Sequence, residues 1–266
     1  MKHKLILSFF LLLYVSLAHS LEQIPTRVIT LAPNITELVF SVGGGDKIIG
    51  TVDTSDFPEL AKKIARIGNF NQINLELIFK LKPDLIIAWQ QGTHYQTINQ
   101  LRQLGFEVLI LDTSSFSGIV SSLKTLGNIF NPKIASKKIK LFNKTLAKIK
   151  PKVANKATVF IQIWHKPLIT LNNKNIFSEA INFCGGNNIF GHLTQAAPTV
   201  NLENILKLNP DIIFISGGKR NIWQQWQGIN AVKNNQVYAV NPDFINRGTM
   251  RTLKAVNNIC NNINLN

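Results

Sequence analysis

The sequence predicts an α/β protein of two lobes, each with a central, mostly parallel sheet flanked by helices, joined by one long helix. The first observation behind this prediction is a repeat, because residues 74–84 and 201–211 have almost the same sequence. A short apolar run follows each copy, at 85–89 and 212–216. Such a run without polar alternation predicts a parallel strand buried on both faces. The second observation is the alternation of strand and helix signals along the chain, which is typical of α/β lobes.

The alternation assigns the remaining elements in chain order. Strands are predicted at Val28–Leu31, Ile48–Val52, Val108–Leu111, Thr158–Ile163 and Val237–Val240. Helices are predicted to begin at Thr36 and to cover the two repeat copies, Tyr95–Leu104, Ser178–Phe183 and about Met250 to Ile263.

A lysine-rich stretch separates the two halves and has apolar residues at helical spacing. These are Ile139, Phe142, Leu146 and Ile149. We therefore expect an N-terminal lobe over 21–130, a linking helix over 131–154 and a C-terminal lobe over 155–266. A helix in that place, instead of a Gly/Ser linker, predicts a stiff pair of lobes with little hinge motion.

The first twenty residues have the pattern of a secretory signal peptide. A basic head, Met1–Lys4, precedes an apolar run over Leu5–Leu17 that is short for a bilayer span. The small residues at 18–20 fit a cleavage site, so we expect cleavage before Leu21 and export to the periplasm. A buried N-terminal helix is the alternative, but the order of basic, apolar and small segments favours the signal peptide.

Cys184 and Cys260 are the two cysteines of the chain. In an oxidising compartment an even pair is most simply a disulfide, and closing a loop of this length would stabilise the fold by about 4 to 5 kcal/mol in the chain-entropy model. Two unpaired buried thiols are the alternative. We expect no metal site on these thiols, because no third thiol and no nearby His completes a ligand set.

The chain is strongly basic, with a formal net charge of +15 at pH 7. Its lysines concentrate between Lys133 and Lys156, on the predicted linking helix. A solvated helix face is the simplest interpretation, and a weak attraction to an anionic membrane surface is a second one. We expect no nucleic-acid partner, because an export signal is present and no nucleic-acid-binding motif is found.

The sequence has few signatures of catalysis. It contains no Gly-x-Ser-x-Gly nucleophile elbow, no phosphate-binding Gly-x4-Gly-Lys-Ser/Thr loop and no His-Glu-x-x-His helix. His94, His165 and His192 are not at ligand spacing from one another, so we expect them at the surface or at a pocket edge. The sequence therefore favours binding over turnover, and an exported α/β hydrolase is the weaker alternative.

A ligand site is expected outside the carboxyl ends of the strands, as in other open α/β sheets. The residues that follow the predicted strands are Thr54, Asp56, Trp89, Gly92, Trp164, His165, Asp243 and Arg247. A cleft with Trp walls and with Asp and Arg at its edges suits a large ligand that has an apolar body and many polar substituents. Two alternatives stay open: each Trp fills the core instead, or Asp243 and Arg247, four residues apart, pair with each other.

Three segments of the chain resemble a known family. Residues 28–38, 74–89 and 184–190 resemble the cobalamin-binding members of the helical-backbone (class III) substrate-binding proteins of ABC importers. The resemblance extends from Arg27 to Cys260. It implies that cobalamin is bound between the lobes and delivered to a permease dimer in the inner membrane. It also implies a monomer when free and no cofactor, because the corrinoid ligand is cargo.

Residue roles carry over from the resemblance by position. Glu76 and Glu203 match two lobe-tip carboxylates that dock onto the two permease subunits, although a Glu in the first turn also stabilises a helix without any partner. Cys184 and Cys260 match the family's disulfide. The residues that match its cleft are Trp89, Asp243 and Arg247.

The chain departs from the cobalamin binders at three wall positions. Thr54, Phe70 and Ala197 stand where those proteins have larger aromatic residues, and Trp164 is expected to compensate from the other side. Fewer large aromatic side chains leave haem or a ferric siderophore as the alternative cargo on the same scaffold. For haem, the candidate axial ligands are His94, Tyr95 and His165.

Overall fold

The computed structural model describes residues 24–149, 157–218 and 220–263. The predicted signal peptide and residues 150–154 of the predicted linking helix lie outside the described residues. Within these ranges, no helix combines the length and the apolar character that crossing a membrane requires.

The first lobe contains a five-stranded parallel sheet in the order β3-β2-β1-β4-β5. Its strands are β1 (Val28–Thr30), β2 (Ile48–Thr51), β3 (Ala65–Arg66), β4 (Leu85–Trp89) and β5 (Val108–Leu111). Its helices are α1 (Pro33–Ser41), α2 (Leu75–Leu81), α3 (Tyr95–Gln103) and α4 (Phe116–Ile129), with 3₁₀ turns at Gly45–Lys47 and Glu59–Lys63.

The second lobe contains a four-stranded parallel sheet in the order β7-β6-β8-β9. Its strands are β6 (Ala157–Gln162), β7 (Gly186–Asn188), β8 (Ile212–Ser216) and β9 (Val237–Val240). Its helices are α6 (Ile176–Phe183), α7 (Leu202–Leu208), α8 (Asn230–Lys233), α9 (Pro242–Ile245) and α10 (Thr252–Ile263), with a 3₁₀ turn at Arg220–Trp223. Two parallel-sheet lobes flanked by helices confirm the predicted fold class.

Helix α5 (Pro132–Lys148) lies between the two lobes in the sequence, inside the range predicted for a linking helix. The side chain of Asn131 caps it by accepting a hydrogen bond from the backbone N–H of Ile134, 3.0 Å away. It packs on α4, which turns back into it through a two-residue connection, and the ring centroids of Phe116 and Phe142 are 6.4 Å apart. It also contacts α1 of the first lobe and α10 of the second.

The central strands alternate between two apolar cores. In β8, Ile212 and Phe214 belong to one large core, whereas Ile213 and Ile215 belong to a core of the second lobe alone. Successive side chains of a strand point to opposite faces, so each sheet turns one face toward the large core. That large core contains buried residues of both lobes and of α5, among them Val28, Leu38, Phe142, Val159 and Val256. The lobes therefore share apolar packing.

A disulfide joins Cys184, at the end of α6, to Cys260 in α10, with an S–S distance of 1.99 Å. Both cysteines are buried. The predicted pairing is confirmed.

One helix start was predicted wrongly. Helix α1 begins at Pro33, three residues before the predicted start at Thr36, because Pro at the first helical position has its φ angle already set for a helix. Thr36 is buried inside the helix, where its hydroxyl lies 3.1 Å from the carbonyl oxygen of Ala32 and 2.7 Å from the hydroxyl of Thr51.

Candidate functional site

A buried ion pair joins the two lobes. The guanidinium of Arg251 binds the carboxylate of Glu37 through two bonds, Nε to Oε1 at 2.9 Å and Nη2 to Oε2 at 2.7 Å. The hydroxyl of Thr249 donates a third bond to Oε1 at 2.6 Å, and Glu37 is only 4 % exposed. The guanidinium also lies over the ring of Phe57, 4.0 Å from its centroid. This parallel pairing fixes orientation as well as distance.

A second arginine of the same lobe forms a three-residue bridge. Arg247 binds Asp243 at 2.8 Å and also reaches Asp56 of the first lobe at 2.6 Å. The pairing of Asp243 with Arg247 left open by the sequence is present, and Asp56 is added to it. The hydrogen bond from Arg247 holds the pKa of Asp56 below its ordinary value of 3.8. Because its side chain is only 12 % exposed, Arg247 presents little surface to solvent.

Two further contacts between the lobes involve backbone atoms. The carboxylate of Glu179, in α6, accepts a hydrogen bond of 2.6 Å from the backbone N–H of Phe116, the first residue of α4. Burial raises the pKa of Glu179 above its ordinary value of 4.5, although this hydrogen bond acts in the opposite direction. Gly248 lies so close to Thr113 that a Cβ atom on it would stand 2.4 Å from the Thr113 carbonyl oxygen.

The second lobe has an open cavity of about 780 Å³ at the carboxyl ends of β6 and β8. Trp164 and His165 form one wall, and Trp164 is 61 % exposed. Its indole Nε1 donates to the carbonyl oxygen of Lys166 at 3.0 Å, which fixes the ring on its own loop. Trp164 therefore does not fill the core.

Two polar residues of this cavity were missed by the sequence analysis. Ser216 and Asn246 line it and are joined by a hydrogen bond of 2.9 Å from Nδ2 to Oγ. Ser216 is the last residue of β8. It occupies the position in the second repeat copy that Trp89 occupies in the first, so the repeat could have indicated it.

The first lobe places Trp89 at the carboxyl end of β4, where it is half-buried. Its ring packs against Gly92 so closely that a Cβ there would lie 2.2 Å from the Trp89 ring, so only Gly fits. The buried indole Nε1 of Trp89 has no hydrogen-bond acceptor among the described residues. An unpaired buried donor is costly and is a feature that binding sites retain.

Other predicted wall residues of the first lobe are exposed. Phe70 is 65 % exposed and stacks on His94, with ring centroids 6.5 Å apart. Thr54 is exposed in the loop after β2. The ligand roles of these residues, of Trp89, Gly92 and Trp164, and of the Asp243–Arg247 pair remain predictions.

The two repeat copies form matching helices, α2 and α7, of seven residues each. Asn74 and Asn201 cap them in the same way, each side chain accepting a backbone N–H three residues later at 2.9 Å. Both helices end in the left-handed conformation, with φ of 45° at Lys82 and 43° at Asn209. At the other end of these helices, Glu76 and Glu203 lie in the first turn, and both are exposed. Within the described residues, neither forms an ion pair.

Comparisons with known proteins agree with this architecture. A family model described as periplasmic binding protein matches residues 28–244. The vitamin B12-binding protein of Vibrio campbellii is 36 % identical over 241 residues, which are 88 % of each chain. The vitamin B12-binding protein of Vibrio cholerae is 37 % identical over 241 residues, 88 % of this chain and 87 % of the relative.

Solved structures show the same fold. The crystal structure of the periplasmic vitamin B12-binding protein BtuF of Vibrio cholerae superposes with a TM-score of 0.81 at 35 % identity, covering 91 % of this chain and 98 % of that one. The periplasmic haem-binding protein HutB of Vibrio cholerae has a TM-score of 0.75 at 16 % identity, covering 89 % and 98 %, and shows the fold alone. With a family model matching most of its length and relatives above 30 % identity, the chain belongs to the periplasmic binding protein family.

Proposed function

We propose that this chain captures cobalamin between its lobes in the periplasm and delivers it, unaltered, to the permease dimer of an ABC importer. The observation that carries the proposal is the placement of Trp89 and Trp164 at the carboxyl ends of inner strands of two different sheets. Aromatic walls on two lobes suit a flat apolar ring system, and the polar Ser216 and Asn246 suit polar substituents. The identity with the Vibrio vitamin B12-binding proteins over most of the chain supports this cargo.

The residues that we assign to the ligand are those predicted from the sequence, with the cavity residues added. They are Thr54, Phe70, Trp89, Gly92, Trp164, Asp243 and Arg247, together with Ser216 and Asn246. Helix α5, which ends at Lys148, links the N-terminal and C-terminal lobes. The protein acts as a monomer when free and needs no cofactor.

Titration of the purified protein with cyanocobalamin tests the cargo. We expect quenching of tryptophan fluorescence, and Trp164→Ala should weaken binding by about tenfold through the lost ring contact. The matched control is Trp226→Ala, which removes an indole packed against the core of the second lobe and should leave the affinity unchanged. No binding at micromolar cyanocobalamin would refute the cargo.

For the permease contact, the proposal uses the two matching carboxylates. Glu76 and Glu203 occupy the same position on helices with the same caps and lack an ion-pair partner among the described residues, so both are available to cations of another protein. Two equivalent carboxylates suit a partner of twofold symmetry, one for each subunit.

Charge reversal tests the docking role. Glu76→Lys with Glu203→Lys should abolish vitamin uptake into vesicles that contain the permease and its ATPase, while the affinity for cyanocobalamin stays normal. The control, Glu59→Lys with Glu107→Lys, changes the net charge equally at two other exposed carboxylates and should keep transport. Normal transport by the Glu76 and Glu203 variant would contradict docking through these residues.

Haem is the second candidate cargo, because His165 lies in the wall of the cavity and Tyr95 is 72 % exposed. The same protein titrated with haemin separates the two candidates. A haem absorption band that is lost in His165→Ala or Tyr95→Phe would favour haem, and a corrinoid spectrum in protein purified from cobalamin-supplemented cells would favour cobalamin.

A further inference from the structure

The net positive charge of the chain is concentrated in one segment. Residues 113–178 contain twelve lysines and no Asp or Glu. Residues 21–112 contain eight basic and ten acidic side chains. Residues 179–266 contain seven basic and four acidic side chains. The net charge of +13 for residues 21–266 is therefore almost entirely the +12 of residues 113–178.

Five of these lysines form a single stripe along helix α5. They follow one another at spacings of 4, 3, 4 and 4 residues, which a helix of 3.6 residues per turn places on one face. All of them are exposed: Lys133, Lys137, Lys140, Lys144 and Lys148. With a rise of 1.5 Å per residue, the stripe is about 22 Å long. The opposite face carries the buried Ala135 and Phe142.

Mutual repulsion within this lysine stripe opposes the helix that carries it, although Lys148 in the last turn is favourable to the helix dipole. Like charges four residues apart on a helix repel, and three such pairs occur in the stripe. In the part of the chain that the structure describes, no carboxylate forms an ion pair with any of the five lysines. An uncompensated row of charge is explained more readily by an external anion than by folding.

We propose that the lysine stripe binds the surface of an anionic phospholipid bilayer. Lysine is a compact point charge on a flexible stem, which suits the diffuse negative charge of a membrane, whereas planar recognition of individual phosphates favours Arg. The length of the stripe, about 22 Å, allows several headgroups to be contacted at once.

Apolar side chains beside the stripe distinguish a bilayer from a soluble polyanion. Leu141, also on α5, is 52 % exposed. It borders a groove of about 690 Å³ that Phe57 and Leu253 also line, with Lys138 and Lys254 at the same groove. Apolar and cationic side chains side by side match a molecule that has an acyl chain and an anionic headgroup.

The lysine stripe contains none of the residues assigned to cargo or to the permease. Its role can therefore be tested without disturbing the cleft. The variant Lys137→Gln with Lys140→Gln and Lys144→Gln removes the centre of the stripe. Because these changes also remove like-charge repulsion, the variant should unfold at the same temperature as the parent protein or a higher one.

Co-sedimentation with vesicles tests the proposal. Purified protein is mixed with vesicles of phosphatidylglycerol and phosphatidylcholine in equal parts, or of phosphatidylcholine alone, at low and high salt. We expect binding to the anionic vesicles only, reduced by salt because the charges are exposed. The stripe variant should lose binding by about 100-fold, since each surface lysine contributes about fivefold.

A control variant separates the stripe from the net charge. Lys63→Gln with Lys174→Gln and Lys233→Gln removes the same charge from exposed lysines elsewhere and should retain binding. Equal loss in both variants would overturn the proposal, as would absence of binding to anionic vesicles. Binding to soluble polyphosphate without binding to vesicles would assign the stripe to a soluble polyanion and would also overturn it.

Discussion

Glu37 of the first lobe and Arg251 of the second are joined by two parallel hydrogen bonds of 2.9 and 2.7 Å, although 214 residues separate them in the chain. The carboxylate is almost completely removed from solvent. Among the described residues its side-chain partners, Thr249 and Arg251, both belong to the other lobe, and the relative position of the lobes depends on this compensation of its charge.

Removing the cation should be more damaging than removing the pair. Arg251→Met leaves the carboxylate of Glu37 buried without its partner, and we expect the free energy of unfolding to fall by about 3 to 5 kcal/mol. The double variant with Glu37→Met should recover much of this loss, because no charge is then buried. Urea denaturation measures the free energy of unfolding of the single and the double variant. An equal loss in the two variants would show that packing, not the buried charge, determines the cost.

The ion pair between Asp56 and Arg247 predicts a pH dependence at the acid end. Since Arg247 lowers the pKa of Asp56, the contribution to stability is present above the ordinary value of 3.8 and is lost as pH falls through the lower, folded-state pKa. The effect is expected to stay below about 1 kcal/mol because Asp56 is half exposed. Melting temperatures of the parent protein and Asp56→Asn should converge in acid. A constant gap at every pH would contradict this.

Glu179 should have the opposite pH dependence. Burial raises its pKa, so the folded state disfavours the ionised form, and stability is lost as pH rises from about 4.5 through the folded-state pKa. Glu179→Gln keeps an acceptor for the N–H of Phe116 without the charge, so its stability relative to the parent should increase over that range. Glu179→Ala leaves the N–H unpaired and should be less stable than the Gln variant throughout. If the melting temperatures of the parent protein and the Gln variant changed with pH in the same way, the assignment would be refuted.

Gly248 offers a test of how closely the lobes approach. Both Gly248→Ala and Gly105→Ala place a side chain on a residue with positive φ, 56° and 85°, so both carry backbone strain. Only at Gly248 does the added Cβ meet another lobe, at the carbonyl of Thr113. We expect Gly248→Ala to lower the free energy of unfolding by about 1 to 3 kcal/mol more than Gly105→Ala does. Equal costs would mean that the lobes move apart freely.

The sequence predicted the repeated elements well because their signals are local. Matching Asn caps, Pro-Asp stops and apolar runs placed the two helix-strand units, and the apolar run at 85–89 is β4 as observed. Helix α4 was missed because Ser117, Gly118 and their neighbours are poor helix formers. Burial of Phe116, Leu123 and Leu126 against the rest of the fold stabilises it instead.

The contacts between lobes were not predictable from the same signals. Asp56 and Arg247 were both selected as residues after strands, but their mutual bond joins positions 191 apart and leaves no periodic trace in the sequence. Arg251 follows no motif, and nothing in the composition marks Glu37 as buried. Such pairs depend on how the two folded lobes pack against each other, and this packing is visible only in the three-dimensional structure.

The apolar core that both sheets share has a mechanical consequence. Separating the lobes would expose the apolar side chains of this core to water. The free-energy cost would be roughly 25 cal/mol for every Å² of apolar surface exposed. The two lobes therefore stay close to one relative position unless an outside force acts on them. Any partner that moves the two lobes apart has to supply that free energy through its own contacts with them.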